Sequence, residues 1–280
     1  MNETLAAIFA VGSAAAWGAG DFSGGLASKR SHPISVTLVS NPFGLILITA
    51  FALWHGAAGP SLHDAVLGFA AGMFGAFGLL VFYRALSSGK MGVVAPVTAV
   101  VANVISMLFG AFTEGFPSAL QLGGFALAIV GVYVISKPEG DARVTFLDLL
   151  PALIAGVAFG AFFILTANFS SGDVSWTLVV ARLGTISMVV VSALWTRHRF
   201  KLEPSSLPLV FVAGAMDSLG NLLFALATQM GRLDVGSALS SLYPVTTVVL
   251  AILVLRERLS RMQAIGAVIA LVSIPLIVAK

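Results

Sequence analysis

Ten successive stretches, each of roughly 20 mostly apolar residues, set most of what this chain can become. They run over about 4–26, 33–54, 64–86, 92–113, 118–136, 148–168, 175–196, 208–230, 234–255 and 260–279. Each is long enough to cross a hydrocarbon layer as a helix and twice as long as a barrel strand. Backbone facing lipid must satisfy its own hydrogen bonds, and a helix does so within one segment. The connectors are short, the longest polar ones lying near 137–148 and 196–207, so nothing is left for a soluble domain. The expected fold is an all-α polytopic membrane protein with ten transmembrane helices.

Composition agrees. Of the residues, 58% are hydrophobic and 10% charged, where soluble domains are about half apolar and a quarter charged. So few charges could not cover a water-facing shell, which argues against a soluble enzyme, a nucleic-acid binder and a disordered chain. The absence of Cys excludes disulfides, thiolate metal sites and cysteine nucleophiles. His32, His55, His63 and His198 sit in or beside connectors, and no two have helical metal-ligand spacing. No metal or cofactor is expected. The opening Met1-Asn2-Glu3 lacks the positive region of a cleaved signal peptide, so the first stretch reads as a retained span.

The cations are one-sided. Connectors after spans 1, 3, 5, 7 and 9 hold Lys29, Arg30, Arg84, Lys90, Lys137, Arg143, Arg197, Arg199, Lys201, Arg256, Arg258 and Arg261. The other side holds Arg232 and Lys280, and Arg182 lies within span 7. The positive-inside rule puts the odd-numbered connectors in the cytoplasm and both termini outside. Trp54, Trp176 and Trp195 fall at span ends, where indoles anchor helices at the interface.

The halves resemble each other at an offset of about 142 residues. Trp17-Gly18-Ala19 matches Phe159-Gly160-Ala161, and Asn41 falls near Arg182. Gly92-Val93-Val94-Ala95 matches Val235-Gly236-Ser237-Ala238. Glu114 matches Glu257, and Gly124 matches Gly266. The expected halves are 1–140 and 141–280, with five spans each. An odd count inverts the second half in the membrane, the design of secondary transporters with a central site near the midplane. Small-residue pairs such as Gly68/Gly72 and Gly156/Gly160 allow close helix approach. Pro42, Pro96, Pro244 and Pro275 should kink their spans.

These features resemble the EamA-type family of the drug/metabolite transporter superfamily over nearly the whole chain. Ala16-Trp17-Gly18 is similar to the family's first-helix motif, and Arg182-Leu183 to its Arg-aromatic pair. Glu114, Gln121 and Gly124, then Glu257-Arg258-Leu259-Ser260, Gln263 and Gly266, resemble its Glu-x-x-Ser…Gln-x-x-Gly signature. The resemblance implies a cytoplasmic-membrane carrier, often an exporter, of amino acids or other small metabolites, proton-coupled in some relatives and facilitative in others. Two departures stand out. Asn41 replaces Arg in the first copy of the Arg motif, and relatives commonly keep both termini inside.

Charge in hydrocarbon is costly and marks function or a partner. Asp217 lies ~14 Å into span 8 at 1.5 Å per residue, near the middle of a ~30 Å core. It reads as a proton-coupling carboxylate, an anchor for a substrate ammonium, or half of a buried pair. Asn221 and Thr228 share its face. Arg182 would clamp a substrate carboxylate or pair with Asp217. Asp21 would line the inner vestibule and share the proton role, or cap or pair with Lys29 or Arg84. Trp17, one turn earlier, would stack on substrate or pack. Asn41, Asn103, Ser240, Ser241 and Tyr243 would face the cavity near Pro42 and Pro244, or join helices by hydrogen bonds. Glu114 and Glu257 read as helix caps or gate-side pairs.

The partners expected are a small-molecule substrate, the lipid bilayer and protons as a coupling ion; no nucleic acid is expected. The chain would act as a monomer or homodimer. The alternatives are a lipid or polyprenyl carrier of the same fold, a passive channel, and a polytopic membrane enzyme. No H-E-x-x-H pair or Ser/His/Asp set at membrane depth supports the enzyme, and no G-x-x-x-x-G-K-[ST] loop supports a primary pump.

Overall fold

A computed structural model describes residues 2–56, 58–87, 91–135, 146–170, 174–255 and 261–278. Lys90, Lys137, Arg143, Arg256, Glu257, Arg258, Leu259, Ser260 and Lys280 lie outside the described residues, as do the side chains of Arg84 and Gln263. The described chain is helical, with no strand: α1 (Glu3–Ser28), α2 (Pro33–His55), α3 (Leu62–Ser87), α4 (Met91–Thr113), α5 (Ala119–Ile135), α6 (Phe146–Ala167), α7 (Ser175–Trp195), α8 (Leu207–Met230), α9 (Leu233–Ser240), α10 (Tyr243–Leu255) and α11 (Arg261–Val278). Six described helices are long and apolar enough to cross a membrane, among them α1, α2, α7 and the stretch Pro204–Met230. Shorter apolar stretches run over Val97–Thr113, Ala119–Val134 and Ala264–Ile277.

The ninth expected span is two helices instead of one. Pro244 has no N–H to donate and its ring would collide with the Ser240 carbonyl, so α9 stops at Ser240 and α10 begins at Tyr243. Pro42, Pro151 and Pro275 lie inside continuous helices. Helix starts carry local caps. Asn2 Oδ1 accepts from the Leu5 N–H at 3.2 Å. Ser118 and Gln121 form a reciprocal capping box at α5, with bonds of 3.2 and 3.0 Å.

Shifting by 142 residues maps α1 on α6, α2 on α7, α3 on α8, α4 on α9–α10 and α5 on α11. The helix packing obeys that mapping. α1 packs on α8 as α6 packs on α3, and α2 packs on α8 as α7 packs on α3. α1 packs on α9 and α10 as α6 packs on α4. α2–α7, α4–α9 and α5–α11 are pairs of counterparts. Glycine makes the closest approaches. A Cβ on Gly72 would overlap the Ala181 carbonyl, and one on Gly214, its counterpart, the Ser40 carbonyl. The two halves therefore interlock rather than sit side by side. Large apolar side chains such as Ile46, Leu53, Phe112 and Leu253 face outward, as a lipid-facing exterior requires. Trp54 and Trp195 are exposed at helix ends, whereas Trp176 is half-buried against the cluster of Val174, Leu178 and Val179.

Candidate functional site

A cavity of about 120 Å³ lies among α1, α2, α3, α6, α7, α8 and α10. It is comparable with a cavity of about 150 Å³ that accommodates benzene, so it suits a small molecule.

One wall is polar. Arg182 projects from α7 and is buried, 4% exposed. Its guanidinium donates to Asn41 Oδ1 at 2.9 Å and to Ser218 Oγ at 3.0 Å, and forms an ion pair with Asp217. Each neighbour is itself held. Asn41 Nδ2 donates to the Thr37 carbonyl at 3.0 Å, and the Ser218 hydroxyl to the Gly214 carbonyl at 2.9 Å. Asn41 falls one residue from the counterpart of Arg182, and their direct bond lies where the α2–α7 contact joins the halves. The Asp217 side chain is 43% exposed although its partner is 5% exposed. The cation is thus sealed in the wall while the carboxylate remains open to the cavity.

The facing wall is aromatic. Trp17 stacks on Phe163 with centroids 5.9 Å apart and meets Phe162 edge-on at 6.2 Å. Phe224 lies 5.5 Å behind Trp17. The Trp17 indole N–H donates to Asn221 Oδ1 at 3.0 Å, which fixes the ring's tilt. Gly220 leaves room for this ring, because a Cβ there would strike the indole.

Trp17, Asp21, Asn41, Arg182, Asp217, Asn221 and Tyr243 all line this cavity. Asn103 and Ser240 do not. Asn103 Oδ1 accepts from the Ser241 hydroxyl at 3.1 Å, tying α4 to the α9–α10 break, and Ser240 donates to the Ala10 carbonyl at 3.2 Å. Both bonds join helices, Ser240 to α1 and Ser241 to α4. Thr228 is buried and bonds back to its own helix. Sequence reasoning missed Ser218, Thr185 and the aromatic wall. The wall was signalled by Phe159, Phe162, Phe163 and Thr166 at helical spacing on one face of α6.

Glu114 caps α9. Its carboxylate accepts the Leu233 N–H at 3.0 and 3.2 Å. Arg232 donates to the Glu114 and Gly115 carbonyls at 3.1 and 2.6 Å and chelates Asp234 at 3.0 and 2.7 Å. Burial pushes the Glu114 carboxyl above its ordinary value, against the Leu233 N–H, and the bond to Asp234 raises Arg232. Gln121 also reaches the Ile277 carbonyl at 3.4 Å.

The EamA-like transporter family model matches residues 4–137 and again 147–279. The chain belongs to the EamA-like transporter family. As such it is a multi-pass membrane protein of a family that carries small molecules. The chain is 26% identical over 218 residues to the Listeria monocytogenes serovar 1/2a protein named "Putative sugar uptake protein lmo0169", covering 74% of this chain and 75% of that one. A solved crystal structure superposes with a TM-score of 0.82 over 97% of both chains at 16% identity, a likeness of fold.

Proposed function

We propose that the chain is a ten-span secondary transporter whose halves, 1–140 and 141–280, are inverted repeats that rock about the central cavity. Its substrate is a small amino-acid-like metabolite, moved outward across the cytoplasmic membrane and exchanged for protons. The observation that carries this reading is the open face of Asp217. A carboxylate paired with a sealed arginine yet facing the cavity can take up a proton or grip a substrate ammonium, and its release from Arg182 would loosen α8 from α7. Trp17 and the phenylalanines would hold the substrate's apolar body. Asp21, farther along α1, would share the proton path. The cation bias supports cytoplasmic odd-numbered connectors and outward termini.

A second reading is sugar uptake. The Listeria relative's name favours it, and so does a cavity that pairs an aromatic face with hydrogen-bonding side chains.

Both are tested with purified protein in liposomes, following labelled amino-acid and sugar panels with and without a proton gradient, for wild type and Asp217→Asn. Saturable amino-acid uptake that the gradient drives, and that the variant uncouples, is the expected result. Equal gradient-independent uptake by both would make Asp217 structural and the protein a facilitator. Sugar uptake alone would install the second reading. No uptake of either would bring forward a lipid or polyprenyl carrier.

A further inference from the structure

At the end of the bundle where α1 meets α2, two loops from opposite halves bring imidazoles into contact. The His32 and His198 rings lie with centroids 4.3 Å apart, tilted by 34° to each other. Each position has a local cause. α7 ends in a Schellman turn, in which the His198 N–H donates to the Ala193 carbonyl at 2.8 Å and the Arg197 N–H to the Leu194 carbonyl at 3.1 Å. Arg197 takes the left-handed position at φ 49°. His32 is the N-cap of α2, its Nδ1 accepting the Ile34 N–H at 3.2 Å, with Pro33 opening the helix behind it. Nδ1 therefore carries no proton.

Neutral hydrogen bonds surround the pair. Ser31 Oγ accepts the Glu203 N–H at 2.9 Å, and Ser35 Oγ accepts the Lys201 N–H at 3.1 Å. Ser35 Oγ also lies 2.9 Å from His198 Nε2. The charged groups on these two loops are Lys29 and Arg30 from the α1–α2 connector, and Arg197, Arg199, Lys201 and Glu203 from the α7–α8 connector. The first turns of α2 and α8 bring none. Five cations against one acid leave an imidazolium poorly compensated here.

We propose that His32 and His198 form a proton-operated latch, which joins the two halves at this end while His32 is neutral and parts when it is protonated. A proton on Nδ1 would point at the Ile34 N–H, donor against donor, and the α2 cap would fail. It would also charge a ring in contact with a second imidazole inside a cationic loop pair. His198 is the passive partner, because the Ser35 hydroxyl can either donate to its Nε2 or accept from it. Partial desolvation first, and His198 second, hold the pKa of the largely solvent-exposed His32 below its ordinary value. Closure therefore has the full contribution of neutral His32 above about pH 6.5, and loses it as the pH falls through the lowered value. What opening does for transport rests on the alternating-access reading; the latch itself does not.

The chain has no Cys, so paired spin labels can be placed by Lys29→Cys and Phe200→Cys, with interlabel distances read in nanodiscs without substrate. The long-distance population should grow about fivefold or more between about pH 8 and about pH 5.5. His32→Asn, which keeps a capping oxygen but cannot titrate, should stay closed throughout. His198→Gln should move the transition to higher pH, since a neighbouring charge is gone. A wild-type distance that ignores pH, or a His32→Asn protein that opens like wild type, would overturn the latch. Because no substrate is present, either result stands apart from the fate of the transport reading.

Discussion

At one end of the bundle, residues 31–35 and 198–205 meet through serine hydroxyls, backbone N–H groups and two imidazoles. At the other, Glu114, Arg232 and Asp234 meet through carboxylates and a guanidinium. Both ties join the two halves, yet they respond oppositely to pH. Neutral His32 favours the first tie, which weakens as the pH falls. The Glu114 carboxyl is raised by burial, so the protonated form favours the second tie, whose Glu114 contribution is present at low pH and lost as the pH rises through the raised value. One fold thus holds its two ends with different chemistry, and acidification loosens one while tightening the other.

The sharpest way to break this contrast is Arg232→Ala. The Asp234 side chain is fully buried, and stranding it should cost about 3 kcal/mol, read as a lower unfolding temperature in detergent. A loss near zero would make the second tie ornamental. Next is Ser35→Ala, which removes the acceptor of the part-buried Lys201 N–H and should cost about 1 kcal/mol, measured in the same way. A pH series comes third. His32→Asn should flatten the wild-type loss of stability below about pH 6.5, while Glu114→Gln should remove a loss that appears as the pH rises past the ordinary carboxylate value. If the two variants shift the profile in the same direction, the opposition is refuted. The smallest effect is a gain. Arg197→Gly relieves the left-handed position and should stabilise by about 1 kcal/mol, read as a higher unfolding temperature at neutral pH.

The helices were largely legible because a segment that must leave water announces itself over some twenty residues. The break in the ninth span was legible only as a kink at Pro244, since hydropathy does not say whether a proline bends a helix or ends it. The site was legible residue by residue where charge or amide stood in an apolar run, as with Asp217, Arg182 and Asn41. Ser218 was not, because serine is common in membrane helices and becomes notable only beside a guanidinium. For Asn103 and Ser240 the sequence left two readings open, a cavity lining or a bond between helices, and their hydrogen bonds run between helices.

Sequence alone determined that this chain is a membrane helix protein made of two related halves, and which polar groups it had to spend inside. Tertiary structure alone decided which of those groups meet. Helices that are apolar nearly all round carry little information about their own rotation. Their facing is set by where glycines such as Gly72 and Gly214 admit a neighbouring backbone, and by hydrogen bonds between residues as distant as Asn41 and Arg182.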